Sequence, residues 1–165
     1  MDKIEKYKMA LQEVKSVVGS YNSWITNLSL LVASLKEHIQ PWWVGFYLVD
    51  PSQKKLVLGP FAGPLACTEI GFGRGVCGAS WKEEKTFVVP NVDEFADHIA
   101  CSSESRSEIV IPIFWQDKVV AVLDIDSEHL NFFDETDQFY LEAIRDHLQQ
   151  NLNDFFLKGP FHEAL

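Results

Sequence analysis

Three cysteines, Cys67, Cys77 and Cys101, alternate with glycine turns along a stretch that ends in the acidic segment Val122-Leu-Asp124-Ile-Asp126-Ser127. Thiols near carboxylates suit redox chemistry on a small polar substrate: a thiolate attacks, and a carboxyl group supplies or takes the proton. Cys101 lies in His98-Ile-Ala-Cys101-Ser-Ser-Glu-Ser-Arg106, a polar run leading into a strand. A reactive cysteine needs partial exposure and a group that stabilises its thiolate, which His98, Arg106 or backbone amides can supply. A small, inert, buried hydrophobe accounts for the same residue equally well. Cys67 closes Pro64-Leu-Ala-Cys67 and follows Leu-Ala as Cys101 follows Ile-Ala, so the two sulfurs end similar apolar segments. If they meet in the fold they can form a catalytic disulfide, which requires Cα atoms within roughly 7 Å. Cys77, in Gly75-Val-Cys77-Gly78, has small neighbours and sits near a helix start that would lower its pKa; the same surroundings suit burial.

Structural zinc usually draws its ligands as C-x2-4-C or H-x3-5-H pairs. Cys67, Cys77, Cys101 and His98 supply no such pair, so no metal is expected. Gly71-Phe-Gly73-Arg-Gly75 lacks both the G-x-G-x-x-G spacing and the P-loop lysine, and reads as a tight turn. Asp124 and Asp126 are two apart on a strand and share one face. If that face lines a pocket, the two acids and Glu108 on the neighbouring strand make a site that prefers a cation. Crowding then raises at least one carboxyl pKa and yields a proton donor near neutrality. A solvated strand end is the plainer reading. Trp43 supplies either an apolar wall for that pocket or plain core.

Several elements must position these residues. Ile4, Tyr7, Leu11, Val14 and Val18 recur at helical spacing over residues 3–17, and Ile25, Leu28, Leu31, Val32, Leu35 and Ile39 form a second helical stripe. Trp42 to Leu48 and Lys55 to Leu58, divided by Asp50-Pro-Ser-Gln, read as a β-hairpin. A short helix over 76–84 and a strand over 86–89 follow, closed by Pro90. Glu108 to Trp115 and Lys118 to Asp126, separated by Gln116-Asp117, make a second hairpin, in which Pro112 favours an edge or bulged position. Asp134, with Asp137 three residues later, caps a last helix whose apolar face reads Phe139, Leu141, Ile144, Leu148 and Leu152. Strand pairs between terminal helices indicate a mixed sheet packed by helices, an α+β fold.

At 165 residues and 47% hydrophobic composition, the chain suits one domain able to bury roughly two-thirds of its unfolded surface without disulfides or metal. No signal peptide and no apolar run approaching the roughly 18 residues of a membrane span is visible, so a cytoplasmic protein is expected. Thiols stay reduced there, so any disulfide is expected to be transient. With 24 acidic against 14 basic residues the net charge is −10, which repels nucleic-acid phosphates and anionic lipid surfaces.

Six segments together resemble the free methionine-(R)-sulfoxide reductases, a family built on a single GAF domain. They are Trp43-Val-Gly-Phe-Tyr-Leu, Leu56-Val-Leu-Gly-Pro-Phe, Gly73-Arg-Gly-Val-Cys77-Gly, Asp97-His-Ile-Ala-Cys101, Ser107-Glu-Ile-Val-Ile-Pro and Val122-Leu-Asp-Ile-Asp-Ser127. The resemblance implies one GAF domain over residues 1–165, with N-terminal helices in 1–40, sheet and active-site loops in 42–127 and a C-terminal helix in 134–156. It also implies an antiparallel central sheet with the N- and C-terminal helices on one side, and leaves room for a homodimer.

The implied substrate is free L-methionine-(R)-sulfoxide, whose ammonium group a carboxylate cluster would distinguish from a peptide-linked residue. By the same resemblance, Cys101 is the nucleophile that becomes a sulfenic acid, and Cys67 resolves it to a disulfide that thioredoxin reduces. Cys77 is an alternative nucleophile or second resolving thiol. One of Glu108, Asp124 and Asp126 donates the proton, Trp43 packs on the substrate methyl group, and no cofactor is required. Two other readings of the fold are a ligand-binding module without catalysis and a thiol redox sensor.

Overall fold

A computed structural model describes residues 1–97, 99 and 103–152. Cys101, His98 and the end of the helix expected over 134–156 lie outside the described residues. Helices α1 (Lys3–Val17) and α2 (Trp24–His38) precede strands β1 (Trp43–Asp50), β2 (Lys55–Ala62) and β3 (Glu69–Gly71). Helix α3 (Gly75–Glu83), strand β4 (Phe87–Val89) and a 3-10 turn over Val92–Glu94 follow, then β5 (Ser107–Trp115), β6 (Lys118–Ser127) and α4 (Glu135–Gln150). The six strands form one antiparallel sheet in the order β3-β2-β1-β6-β5-β4.

The helix starts follow local chemistry. The Asp2 carboxylate accepts from the Glu5 amide and Glu5 answers on the Asp2 amide, while Ser23 accepts from Thr26 at the start of α2. Asp134 caps α4 with Asp137 in the reciprocal position. The turn between β5 and β6 holds Gln116 and Asp117 at φ 48° and 63°, the left-handed pair that a two-residue hairpin requires. Pro112 stays within β5, but the β4 ladder stops at Val110, so the proline has an open edge on that side.

Strand alternation divides the sheet into two faces. Val44, Phe46 and Leu48 of β1, Ile109, Ile111 and Ile113 of β5, and Leu123 and Ile125 of β6 pack under α1, α2 and α4 in the main core. On the opposite face, Trp43, Tyr47, Val110 and Val122 join α3 and its flanking loops in a second cluster. A register shift next to Ile113 puts both Val120 and Ala121 on the helix side and returns Val122 to the other face. That bulge decides which face Asp124 and Asp126 occupy.

Helix α4 departs from the sequence expectation. Phe139 is 67% exposed and does not belong to the apolar face. The inward stripe runs Asp137, Leu141, Ile144 and Leu148, all buried, at spacings of four, three and four residues. A carboxylate takes the first inward position because partners meet it: the Tyr7 hydroxyl donates to its Oδ1 at 2.7 Å and Lys3 Nζ to its Oδ2 at 2.6 Å. Burial and the Asp137 charge raise the Tyr7 phenol far above its usual range, so it remains a donor. This network ties α1 to α4 over the main core. Asp137→Ala removes a buried acceptor and a cap together, and should lower unfolding free energy in urea by about 2–4 kcal/mol.

Candidate active site

The face opposite the main helices carries the acids. In the β1-β6-β5 ladder, Trp43 pairs with Asp126 and Asp126 with Glu108; one row further on, Gly45 pairs with Asp124 and Asp124 with Val110. Period-two alternation therefore brings Glu108, Asp124 and Asp126 together on one face with Trp43 and Tyr47. They line a pocket that, with its open mouth, encloses about 540 Å3 of empty space.

The aromatic wall depends on a glycine. A Cβ at Gly45 would lie 2.5 Å from the Trp43 ring, so only a residue without one leaves the indole its place across the strand. Trp43 stacks between Tyr47 and Phe61, and its Nε1–H donates to the Pro64 carbonyl at 3.1 Å. The Tyr47 hydroxyl donates to the Cys67 carbonyl at 2.9 Å. The two rings thus pin the segment that carries Cys67 to the pocket edge.

Helix α3 closes the other side. Gly75 enters it at φ 59°, and a Cβ on Gly78 would come 2.6 Å from the Gly71 carbonyl, so the helix seats directly on the end of β3. Its third residue, Cys77, is only 3% exposed, and its thiol lies 4.0 Å from Glu108 Oε1. The expected pKa lowering by the helix N-terminus does not prevail. Burial, followed by the Asp124 and Glu108 charges, pushes the Cys77 thiol well above its usual range. Of the two readings of Cys77, the structure favours the buried thiol. Its Sγ and one oxygen each of Glu108 and Asp124 lie within 4.8 Å of one another. Spacing rules could not anticipate that grouping, whose members come from three elements.

The acids are unequal. Glu108 and Asp124 are buried at 6% exposure each, whereas Asp126 is half-buried. Burial first, then the neighbouring carboxylates, holds Glu108 well above the carboxylate range; Asp124 is raised by burial and then by Asp126. Asp126 is pushed up by burial to about 6, opposed by the hydrogen bond it accepts from the Ser105 hydroxyl. Asp126, at about 6, is therefore largely ionised near pH 7, while burial favours the neutral form of Glu108 and of Asp124.

Tyr47 and Ser105 were not singled out from the sequence. Tyr47 follows Trp43 by four residues on one strand, so alternation could have placed it on the site face. Ser105 precedes its strand and carried no such signal.

The GAF domain family model matches residues 28–153. GAF domain-containing protein A of Dictyostelium discoideum is 51% identical over 142 residues, covering 86% of this chain and 89% of that one. The free methionine-R-sulfoxide reductase of Saccharomyces cerevisiae is 37% identical over 152 residues, covering 87% and 84%. A crystal structure of free methionine-R-sulfoxide reductase from Neisseria meningitidis, in complex with its substrate, superposes with a TM-score of 0.90 at 48% identity, covering 100% of this chain and 95% of that one.

The raised carboxyl groups carry a stability cost with a definite sign. Their folded-state pKa values exceed the roughly 4 of unfolded carboxyls, so the stability they confer is full below pH about 4 and is lost as pH rises through the folded values. Asp124→Asn removes one such group. Its Tm should exceed that of the parent at pH 8, and the gap should narrow towards pH 4.

Proposed function

The chain belongs to the GAF-domain family of free methionine-R-sulfoxide reductases, and from that membership we propose that it reduces free L-methionine-(R)-sulfoxide to methionine. The observation that carries this reading is the carboxylate row Glu108, Asp124 and Asp126 facing Trp43 on one sheet face. A free amino acid brings an ammonium group to such a row, and a peptide-linked residue does not. Asp126, ionised near neutrality, holds the ammonium with Asp124. Trp43 packs on the terminal methyl group.

Glu108 acts as the acid. A sulfoxide oxygen leaves poorly unless protonated, and a carboxyl group kept neutral by burial can donate at pH 7. The Cys101 thiolate attacks the sulfoxide sulfur as Glu108 protonates the oxygen. The attack forms a bond between the Cys101 and substrate sulfurs; the hydroxyl then passes from the substrate sulfur to the Cys101 sulfur as the sulfur–sulfur bond breaks with its electron pair on methionine, which departs and leaves Cys101 as a sulfenic acid. The Cys67 thiol then displaces water from that sulfenic acid and forms a disulfide. A thioredoxin dithiol reduces the disulfide by exchange and is itself oxidised. Cys77 takes no part in this cycle, because burial and two neighbouring acids disfavour its thiolate.

This reading treats residues 1–165 as one cytoplasmic GAF unit, where reduced thioredoxin is at hand. None of the described helices is long and apolar enough to cross a membrane. A homodimer is part of the reading: Ile4, Met9, Ile25 and Phe139 are exposed apolar side chains of α1, α2 and α4 that a second chain would cover.

An assay with thioredoxin recycling should show methionine release from the free R epimer and little from the S epimer or from peptide-bound sulfoxide. Cys101→Ser should abolish it. Equal turnover of peptide-bound sulfoxide would remove the ammonium site, and full activity of Cys101→Ser would remove the nucleophile. Absence of any methionine release would favour a ligand-binding module or a redox sensor.

A further inference from the structure

The Cys77 thiol is conspicuous because the cycle above leaves it unused. Its Sγ and one oxygen each of Glu108 and Asp124 lie within 4.8 Å of one another, and all three residues are buried. Three elements contribute: α3, β5 and β6. The Glu108–Asp126 and Val110–Asp124 pairs fix β5 against β6, and the close approach of Gly78 to the Gly71 carbonyl seats α3. These side chains have little room to move apart.

A tetrahedral ion with a sulfur ligand at about 2.3 Å and oxygens at about 2.0–2.2 Å sets its ligand atoms roughly 3.6 Å apart. The cluster needs to contract by about 1 Å to reach that spacing, a movement within the range of side-chain torsions. An independent feature points to a ligand as well. Asp124 Oδ1 is buried and has no hydrogen-bond partner among the described residues. A buried carboxylate oxygen without a partner is costly, and a cation is the natural partner for it.

We propose that Cys77, Glu108 and Asp124 form a binding site for a thiophilic divalent cation of the zinc and cadmium class, with the fourth coordination position facing the pocket. The donor set selects the ion. One sulfur and two carboxylates suit a borderline-soft tetrahedral ion, whereas magnesium and calcium require six or more oxygens. The ammonium of an amino acid answers the same carboxylates but has no use for the sulfur. The ion and the substrate therefore exclude one another, and a bound metal silences the reductase reversibly. This exclusion rests on the reduction reading above; the ion site itself does not.

The test uses the full-length reduced protein carrying Cys67→Ser and Cys101→Ser, so that Cys77 is its remaining thiol. Cadmium chloride alone is titrated while the ultraviolet thiolate-to-cadmium charge-transfer band is recorded. A saturable band at one equivalent is expected, together with a rise in Tm. Adding Cys77→Ser should abolish the band, and Asp124→Asn should weaken the apparent affinity at least tenfold with an unchanged circular dichroism spectrum. If Asp124→Asn does not fold, Glu108→Gln is read in the same way. No band, or an affinity that neither acid substitution changes, overturns the site. Saturating free methionine-(R)-sulfoxide should displace the cadmium. A band that survives saturating substrate overturns the mutual exclusion and leaves the ion site standing, whereas a missing band in a protein whose parent turns over leaves the reductase reading intact.

Discussion

Three carboxyl groups crowded on one face of a sheet set the terms for the rest of this molecule. Each resists ionisation through burial, and the aspartates add to this: Asp126 raises Asp124, and both raise Glu108. Such a face destabilises the fold at neutral pH. It persists because the opposite face of the same strands is covered by α1, α2 and α4, with Val44, Phe46, Ile109, Ile111, Leu123 and Ile125 almost wholly buried. The hydrophobic layer and the acidic layer share a backbone, so alternation along β1, β5 and β6 creates both at once.

Other features serve that arrangement. The irregularity at Val120 and Ala121 resets the alternation so that the two aspartates emerge on the site face. Gly45 leaves Trp43 its place beside them, and the hydrogen bonds from Trp43 and Tyr47 bring the Cys67 segment to the same edge. Helix α3 closes the pocket through glycines that allow backbone to meet backbone. The carboxyl groups then differ with exposure: half-buried Asp126 is pushed up to about 6, while the deeper burial of Glu108 favours its neutral form.

Much of this was legible in the sequence wherever local rules govern. Asp134 with Asp137 marked the start of α4, Gln116-Asp117 marked a two-residue hairpin, and the spacing of Asp124 and Asp126 put them on one face. What escaped depends on tertiary partners. Strand β3, only Glu69–Gly71, has no pattern of its own and exists because β2 offers a free edge. Phe139 was assigned to the core and Asp137 only to a cap, because no spacing rule shows that Lys3 and Tyr7, more than a hundred residues away, would meet that carboxylate. Cys77 suited either an activated thiol at a helix start or a buried one, and its burial, with acids from two strands beside it, raises its pKa. The family resemblance supplied the thiol roles, which local chemistry had left open.

The central claim is that the carboxylate row recognises an ammonium group. The most direct measurement compares kcat/KM for free methionine-(R)-sulfoxide with that for its deaminated analogue, which keeps the sulfoxide, methyl and carboxylate groups. Losing a partner for a buried charge should reduce kcat/KM on the order of a hundredfold at pH 7.5, and the preference should fade as Asp126 is protonated below pH about 6. Values within threefold of each other across that range would contradict it.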